Sequence, residues 1–315
     1  MEKKILITGG TGFIGANLVR KLTSIGYKPV LLIRKNSNIW RLKDIKNKVV
    51  FIESEILNKP QLNKIILKIK PNIIYHLAVY GTIVAQQRDI NEAIDVNITG
   101  TMNLLEASRK AGCEYFINTG SSTEYGQKEH ILKETDLPNP STFYGATKAA
   151  ATLLVQEYAK SYDMSLAILR LFSPYGYYDK DRFIPSVILH ALQNKHLDLS
   201  SPDFVRDFIF IDDILEVYLY FLSGKKYFGE IFNIGMGQQR KLKEVVQIIE
   251  NHHKKKIDIS WGKKLPHQFE AKKWEADIDK AEKLLNWKPR FGINEGLFKT
   301  YTWFRQHLKL YNSNL

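Results

Sequence analysis

Apolar and polar positions along the first half of the chain follow two rhythms that take turns. Short continuous apolar runs at residues 4–7, 29–33, 49–52, 72–77, 114–118 and 165–170 predict strands buried on both faces. Between them, apolar residues recur at helical spacing over about 13–25, 60–69, 91–111 and 143–162. Such alternation predicts parallel βαβ units, an α/β architecture with helices on both faces of a doubly wound sheet. After residue 171 the rhythm loosens into aromatic and Pro-containing segments, with helices predicted near 184–194, 212–223, 241–252 and 295–308. A first domain over 1–170, with returns near 207–234, and a smaller second lobe over 171–206 and 235–315 follow from this pattern.

The first run, Lys4-Ile5-Leu6-Ile7, leads into Thr8-Gly9-Gly10-Thr11-Gly12-Phe13-Ile14-Gly15 and then into an amphipathic stretch. Glycines at 9, 12 and 15 permit a sharp turn, close approach of a pyrophosphate to the amides, and packing of helix on strand. The phosphate would sit on the helix N-terminus, where unpaired N–H groups and the helix dipole favour an anion. A plain β–α turn uses the same glycines, so the flanking strand and helix carry the prediction: a Rossmann-type dinucleotide fold. The second strand ends in Arg34-Lys35, where an NAD site usually places an acid for the ribose 2′-hydroxyl. Two cations there favour NADP(H), with NAD(H) the alternative if they are only surface charges. Glu55, just past the third strand, would face the adenine end, or else be a plain loop acid.

Composition narrows the class. Hydrophobic content of 44% and charged content of 25% suit a soluble globular chain, and no apolar run approaches the roughly 18 residues of a membrane helix. The apolar stretch before the glycines is too short for a secretory signal. A single cysteine, Cys113, precludes an internal disulfide and fits a reducing cytoplasm. The net charge of +13 suits nucleic acid or an anionic small substrate, but no basic stripe interleaved with aromatics marks a nucleic-acid surface. His252-His253 and the lysines after it lack a Cys or carboxylate at ligand spacing, so no metal site is expected there.

Candidate chemistry lies in two segments. Tyr144-Gly145-Ala146-Thr147-Lys148 opens an alanine-rich helix, and spacing i, i+4 puts phenol and ammonium on one face. A fixed positive charge favours phenolate, so such a tyrosine can exchange a hydroxyl proton while a hydride moves. The second segment, Asn118-Thr119-Gly120-Ser121-Ser122-Thr123-Glu124-Tyr125-Gly126, ends a strand where open α/β sheets place their sites. A hydroxyl there can bond a substrate oxygen whose charge changes during hydride transfer.

With these parts in order, the chain resembles the extended short-chain dehydrogenase/reductases, specifically the sugar-nucleotide epimerases, dehydratases and reductases. The resemblance runs over nearly the whole chain, through TGGTGFIG at 8–15, HLA at 76–78, DVNITGT at 95–101, SSTEYG at 121–126, YGATK at 144–148, LRLFSPYG at 169–176, RDFIFIDD at 206–213 and NWKP at 286–289. It implies that Gly9, Gly12, Phe13, Ile14 and Gly15 hold the pyrophosphate, that Leu77 and Ala78 line the cofactor groove, and that Asn97 braces the active-site helix. Ser121 would take the substrate-hydroxyl position, Tyr144 the acid/base role, and Lys148 would tune the phenol and hold the nicotinamide ribose. Ser122, Thr123, Ser173 and Arg206 would contact the substrate, with Pro174 beside it and Arg206 on the diphosphate; a salt bridge to Asp207 or Asp213 is the structural alternative for Arg206. It also implies that the smaller lobe binds the nucleotide sugar, and that helices 91–111 and 143–162 form a homodimer interface.

Departures from the pattern matter equally. Family dehydratases carry an acid pair directly after the Ser/Thr position, where this chain has Ser122 and Thr123; Glu124 comes one residue late. A second diphosphate-binding arginine is not evident near Gly262-Lys263-Lys264, where Lys264 would have to substitute. The leading expectation is therefore NADPH-dependent reduction of a nucleotide-activated 4-keto-6-deoxy or dideoxy sugar at C4. An NAD-dependent 4-epimerase is the close alternative, a 4,6-dehydratase is less favoured, and a dinucleotide-sensing or nucleic-acid-binding protein is the reading from another class.

Overall fold

The computed structural model describes residues 3–82, 89–263 and 272–312. Its strands in chain order are β1 (Ile5–Thr8), β2 (Val30–Ile33), β3 (Val50–Glu53), β4 (Ile73–His76), β5 (Tyr115–Ser121) and β6 (Leu166–Leu171). There follow β7 (Ser173–Tyr175), β8 (Leu197–Asp198), β9 (Val205–Phe210), β10 (Phe228–Ile234), β11 (Gln239–Lys241) and β12 (Ile259–Ser260). Contacts divide the chain into two units: Met1–Gly126, Leu137–Leu171 and Leu215–Phe232 form one, and Gln127–Asp136, Phe172–Ile214 and Asn233–Leu315 the other. The expected boundaries therefore shift in two places. Gln127–Asp136 clusters with the second unit, and the return to the first spans Leu215–Phe232 rather than 207–234. Asn233 explains the first shift: its amide donates to the carbonyls of Leu132 and Asp277, binding that excursion into the second unit.

The first unit is a doubly wound sheet in the order β10-β6-β5-β4-β1-β2-β3. All pairings from β6 to β3 are parallel. The order reverses between β1 and β4, and in such sheets ligands bind outside the carboxyl ends of the strands at that reversal. The predicted strands form because their Ile-, Leu- and Phe-rich runs are covered on both faces: Ile5, Leu6, Ile7, Ile73, Ile74, Phe116 and Ile168 are all buried. In the second unit, β11-β9-β7 form a three-stranded sheet and β12-β8 a two-stranded one.

Helices α1 (Phe13–Ser24), α2 (Lys59–Ile69), α3 (Ile90–Ile94), α4 (Gly100–Lys110) and α5 (Phe143–Tyr162) belong to the first unit. The helix expected over 91–111 is not uniform: a π-helical stretch, Asp95–Thr99, joins α3 to α4. Its one wide turn re-aims Asn97, a residue buried to 2% exposure whose side chain is needed elsewhere. The segment Trp40–Lys48 is a 3-10 helix docked on α1. The helix predicted at 212–223 ends at Tyr220 and continues only as a 3-10 turn before Gly224, where φ is +91°.

Glycines make the first β–α junction possible. A Cβ on Gly15 would lie 2.2 Å from the Gly9 carbonyl oxygen and 2.8 Å from Gly10 Cα. Gly15→Ala should therefore separate α1 from β1, costing about 1–3 kcal/mol by overpacking. A urea midpoint unchanged from the parent would contradict this.

Candidate active site

The turn after β1 has the geometry of a phosphate cradle. Gly9 adopts φ +69°, and a Cβ there would lie 2.4 Å from the Leu77 carbonyl carbon and 2.6 Å from the Ala78 nitrogen. The Gly12 amide donates to the Gly9 carbonyl at 3.0 Å, closing the turn, and α1 then begins at the Gly12 cap with no side-chain cap. Phe13 and Ile14 are thus the first residues of α1, where backbone N–H groups point outward. These features fit a dinucleotide pyrophosphate: the cradle is one that any Cβ would fill, and no side chain competes for the helix end. Arg34 follows β2 as an exposed residue, and Glu55 is exposed just past β3.

A run of hydrogen bonds joins this turn to α5. The Ala78 amide donates to Thr8 Oγ1 at 3.2 Å, and Thr8 Oγ1 meets His76 Nδ1 at 2.6 Å. His76 Nε2 lies 2.9 Å from Thr101 Oγ1, which donates to the Asn97 carbonyl at 2.7 Å. Because the Thr101 proton points to that carbonyl, Nε2 carries the ring proton and Nδ1 accepts from Thr8. Burial pushes the imidazolium of His76 down to about 3, aided by the nearby Lys148 charge, so the ring is a neutral connector. Asn97 Oδ1 accepts from the Tyr80 amide at 2.8 Å, and its Nδ2 donates to Thr147 Oγ1 at 2.9 Å. Thr147 Oγ1 in turn donates to the Tyr144 carbonyl at 3.0 Å. The π-helical turn therefore reaches α5 beside Tyr144.

Helix α5 starts at Thr142, whose side chain accepts from the Gly145 amide at 3.0 Å. Tyr144, Lys148 and Thr152 fall on one ridge of the helix at successive i+4 steps. Gly145 sets the approach of this ridge to the end of β5: a Cβ there would lie 2.5 Å from the Thr123 carbonyl oxygen. That contact brings Tyr144 to the Ser121–Thr123 turn. Ser121 is 8% exposed; its Oγ lies 2.8 Å from Thr123 Oγ1 and accepts from the Thr123 amide at 3.2 Å. Ser122 is buried and Thr123 half-buried.

Glu124 is fully buried, and three donors hold its carboxylate. Oε1 accepts from the Ser121 amide at 2.8 Å, while Oε2 accepts from Thr152 Oγ1 and from Arg170 Nε, each at 2.8 Å. The Arg170 guanidinium also lies 4.4 Å from the centre of the Tyr125 ring. A single carboxylate thus ties the Ser121 end of β5, the Tyr144/Lys148 ridge and β6 together. Sequence reasoning missed this role. The available signal was an arginine inside the apolar run Leu166–Leu171, because a charge in a central strand demands a buried partner.

Lys148 is buried, and desolvation lowers its ammonium from 10.5 to about 8 although the Glu124 charge draws it back up. Between these two values the unfolded chain keeps a proton that the folded protein has released. Folding stability should therefore rise with pH across that window, by up to about 3 kcal/mol, and Lys148→Met should abolish the rise. Urea midpoints at pH 7.5 and 10 for parent and variant would check this; parallel shifts in both would contradict it.

Ser173 and Arg206 belong to the second unit, and the structure does not group them with the first-unit residues. Ser173 opens β7 in register with Phe208, and Arg206 lies on β9, half-buried, with Nη1 donating to the Val205 carbonyl at 2.7 Å. Asp207 accepts from the amides of Met236, Gly237 and Ala276, and Asp213 from those of Arg290 and Phe291. Both carboxylates are thus committed to backbone donors. Lys264 lies outside the described residues.

The glycine cradle, the strand-end hydroxyl and the Tyr/Lys ridge at the reversal of a parallel sheet define an extended short-chain dehydrogenase/reductase. Residues 5–235 match the NAD dependent epimerase/dehydratase family, and this chain, an enzyme, belongs to it. It is 30% identical to a UDP-glucuronate 4-epimerase of Thermodesulfobacterium geofontis over 98% of each chain. It is 27% identical to dTDP-glucose 4,6-dehydratase 1 of Escherichia coli, over 97% of this chain and 94% of that one. Among solved structures, UDP-glucuronic acid 4-epimerase from Bacillus cereus, in complex with UDP-glucuronic acid and NAD, superposes with a TM-score of 0.86 at 30% identity, covering 96% and 99% of the two chains. The UDP-glucose 4-epimerase of Thermotoga maritima, with UDP-glucose, gives a TM-score of 0.89 at 25% identity, covering 97% and 99%.

Proposed function

We propose that the protein reduces a nucleotide-activated 4-keto-6-deoxy or dideoxy hexose at C4, with NADPH as an exchangeable donor. The observation that carries this reading is the cationic end of β2, Arg34-Lys35, where an acid would be needed to bond an unphosphorylated ribose. When bound, the reduced nicotinamide supplies the hydride that reaches the carbonyl carbon. Tyr144 donates its phenolic proton to the carbonyl oxygen as charge builds there, and Ser121 holds that oxygen with its hydroxyl. Lys148 stabilises the phenolate left behind and holds the nicotinamide ribose. Arg206, with Ser122, Thr123 and Ser173, serves the sugar nucleotide. The committed state of Glu124 argues against dehydration, which needs an acid able to expel a hydroxyl. The decisive experiment is NADPH oxidation monitored with a panel of nucleotide 4-ketohexoses; no turnover with any of them would remove this reading.

The names of the relatives favour a second reading, an NAD-dependent 4-epimerase of a nucleotide sugar. It needs the same three side chains, with hydride returned to the opposite face. Mass spectrometry of the purified protein separates the two: tightly retained NAD supports epimerisation, exchangeable NADPH supports reduction.

We also infer a cytoplasmic homodimer. The lone thiol of Cys113 suits a reducing compartment, and among the described residues no helix is long and apolar enough to cross a membrane. Along α3–α4 and α5, Ile90, Ile94, Met102, Phe143 and Leu153 are exposed, more apolar surface than a solvated helix pair carries. Sedimentation should give a species of twice 36.5 kDa at micromolar concentration; a monomer there would contradict the pairing.

A further inference from the structure

We propose that His76 is a positioning residue: its two ring nitrogens hold the coenzyme-side backbone at Ala78 and the Asn97 brace behind Tyr144 in one arrangement. The inference rests on Tyr144 being the acid/base of the proposed function, whichever sugar it serves. His76 ends β4 and Thr8 ends β1, and the two stand opposite each other in register where the strand order reverses. His76, Thr8 and Thr101 are each 2% exposed or less, so a ring nitrogen or hydroxyl deprived of its partner there is costly.

Each proton in this cluster has one place. Thr101 gives its own to the Asn97 carbonyl, so its oxygen takes the Nε2 proton, and Nδ1 is left to accept from Thr8. With its proton committed to Nδ1, the Thr8 oxygen is free to accept from the Ala78 amide. Ala78 is the backbone against which the glycine turn closes, since a Cβ on Gly9 would lie 2.6 Å from its nitrogen. At the other end Asn97 joins the Tyr80 amide to Thr147, which donates to the Tyr144 carbonyl. A hydroxyl or an amide could serve either threonine alone. An imidazole carries a donor and an acceptor on one rigid ring, so both ends are set together, and the ring itself packs against Phe116 with centroids 5.9 Å apart. Burial and the Lys148 charge keep it neutral, so it adds no second cation beside Lys148. Both nitrogens are taken by threonines, which makes His76 a support for Tyr144 and not a second acid/base.

Three variants of the full-length protein separate the two ends. His76→Asn puts a carboxamide oxygen near the Nδ1 position and keeps an acceptor for Thr8. His76→Gln puts a carboxamide nitrogen near the Nε2 position and keeps a donor for Thr101. His76→Phe keeps neither. Calorimetry with NADPH and with NAD reads the first end; amide hydrogen exchange over residues 143–148 of the coenzyme-free protein reads the second without any ligand. The phenylalanine variant should bind coenzyme about five- to tenfold more weakly and exchange faster over 143–148, as the loss of one buried hydrogen bond at each end predicts. The asparagine variant should keep coenzyme affinity and exchange faster; the glutamine variant should do the reverse. With a nucleotide 4-ketohexose that the parent reduces, kcat should fall about tenfold in the phenylalanine and asparagine variants at unchanged KM. Losses that simply follow the urea midpoint in all three variants, or parental exchange and coenzyme affinity in His76→Phe, would overturn the assignment. Parental kcat in Tyr144→Phe would instead remove the acid/base reading, while exchange and affinity still decide whether His76 holds both ends.

Discussion

Tyr144→Phe should lower kcat by roughly 10²–10⁴-fold, the range expected when a positioned acid/base is removed. The phenyl ring keeps the packing of a half-buried position at the start of α5, so thermal stability and coenzyme affinity should stay close to the parent. The loss should fall on kcat rather than on KM, because the phenolic proton matters only as negative charge grows on the substrate oxygen. The position of Tyr144 argues for an effect at the upper end. Its helix is fixed from two sides, by Asn97 through Thr147 and by Glu124 through Thr152. The absent side chain of Gly145 meanwhile lets the helix pack directly on the Thr123 carbonyl. Ser121→Ala should show a smaller loss, since its hydroxyl only steadies the oxygen. A phenylalanine variant within tenfold of parental kcat would remove Tyr144 from the mechanism.

Arg170→Leu should destabilise the fold by about 3–5 kcal/mol, the usual consequence of leaving one member of a buried ion pair uncompensated. The side chains of Arg170 and Glu124 are 2% and 0% exposed, so removing the guanidinium takes the counter-charge from a fully buried carboxylate. Glu124 also packs closely on Gly120, where even a Cβ would sit 2.8 Å from Oε1. Adding Glu124→Leu to Arg170→Leu should recover much of the lost stability, as matched apolar replacements of buried pairs often do. The same double variant should not recover turnover, because the Ser121 amide and the Thr152 hydroxyl have lost their common acceptor. Urea midpoints and kcat for parent, singles and double complete the cycle. An Arg170→Leu single variant as stable as the parent would show the pair to be dispensable.

The contrast between what could and could not be read from the chain is physical. Strands β1 to β6 show in the sequence because parallel strands covered on both faces need unbroken apolar runs. Helix α5 shows because its Thr142 cap and alanine-rich length are local signals. Strands β8 and β12, two residues each, are too short for any period to register. The 3-10 helix at Trp40–Lys48 is invisible for a different reason: it is held by Arg20, a residue on another element. Likewise the spacing of Tyr144 and Lys148 is written in consecutive turns of one helix, whereas Glu124 and Arg170 meet across 46 positions. The reason for Gly145 likewise lies off its own helix, in the Thr123 carbonyl beneath it.

The π-helical turn at Asp95–Thr99 is, in effect, one surplus residue threaded into an otherwise regular rod. Deleting a single amino acid from a helix ordinarily ruins its register. Here the deletion would leave a straighter, more ideal helix, swivelled by about 100° on the upstream side of the cut. Asn97 would then aim away from Thr147, and the exposed row containing Ile90 and Ile94 would rotate away from that of Met102. A shortened chain could thus gain helical regularity and still be a worse enzyme, which makes this irregularity a place where stability and activity pull in opposite directions.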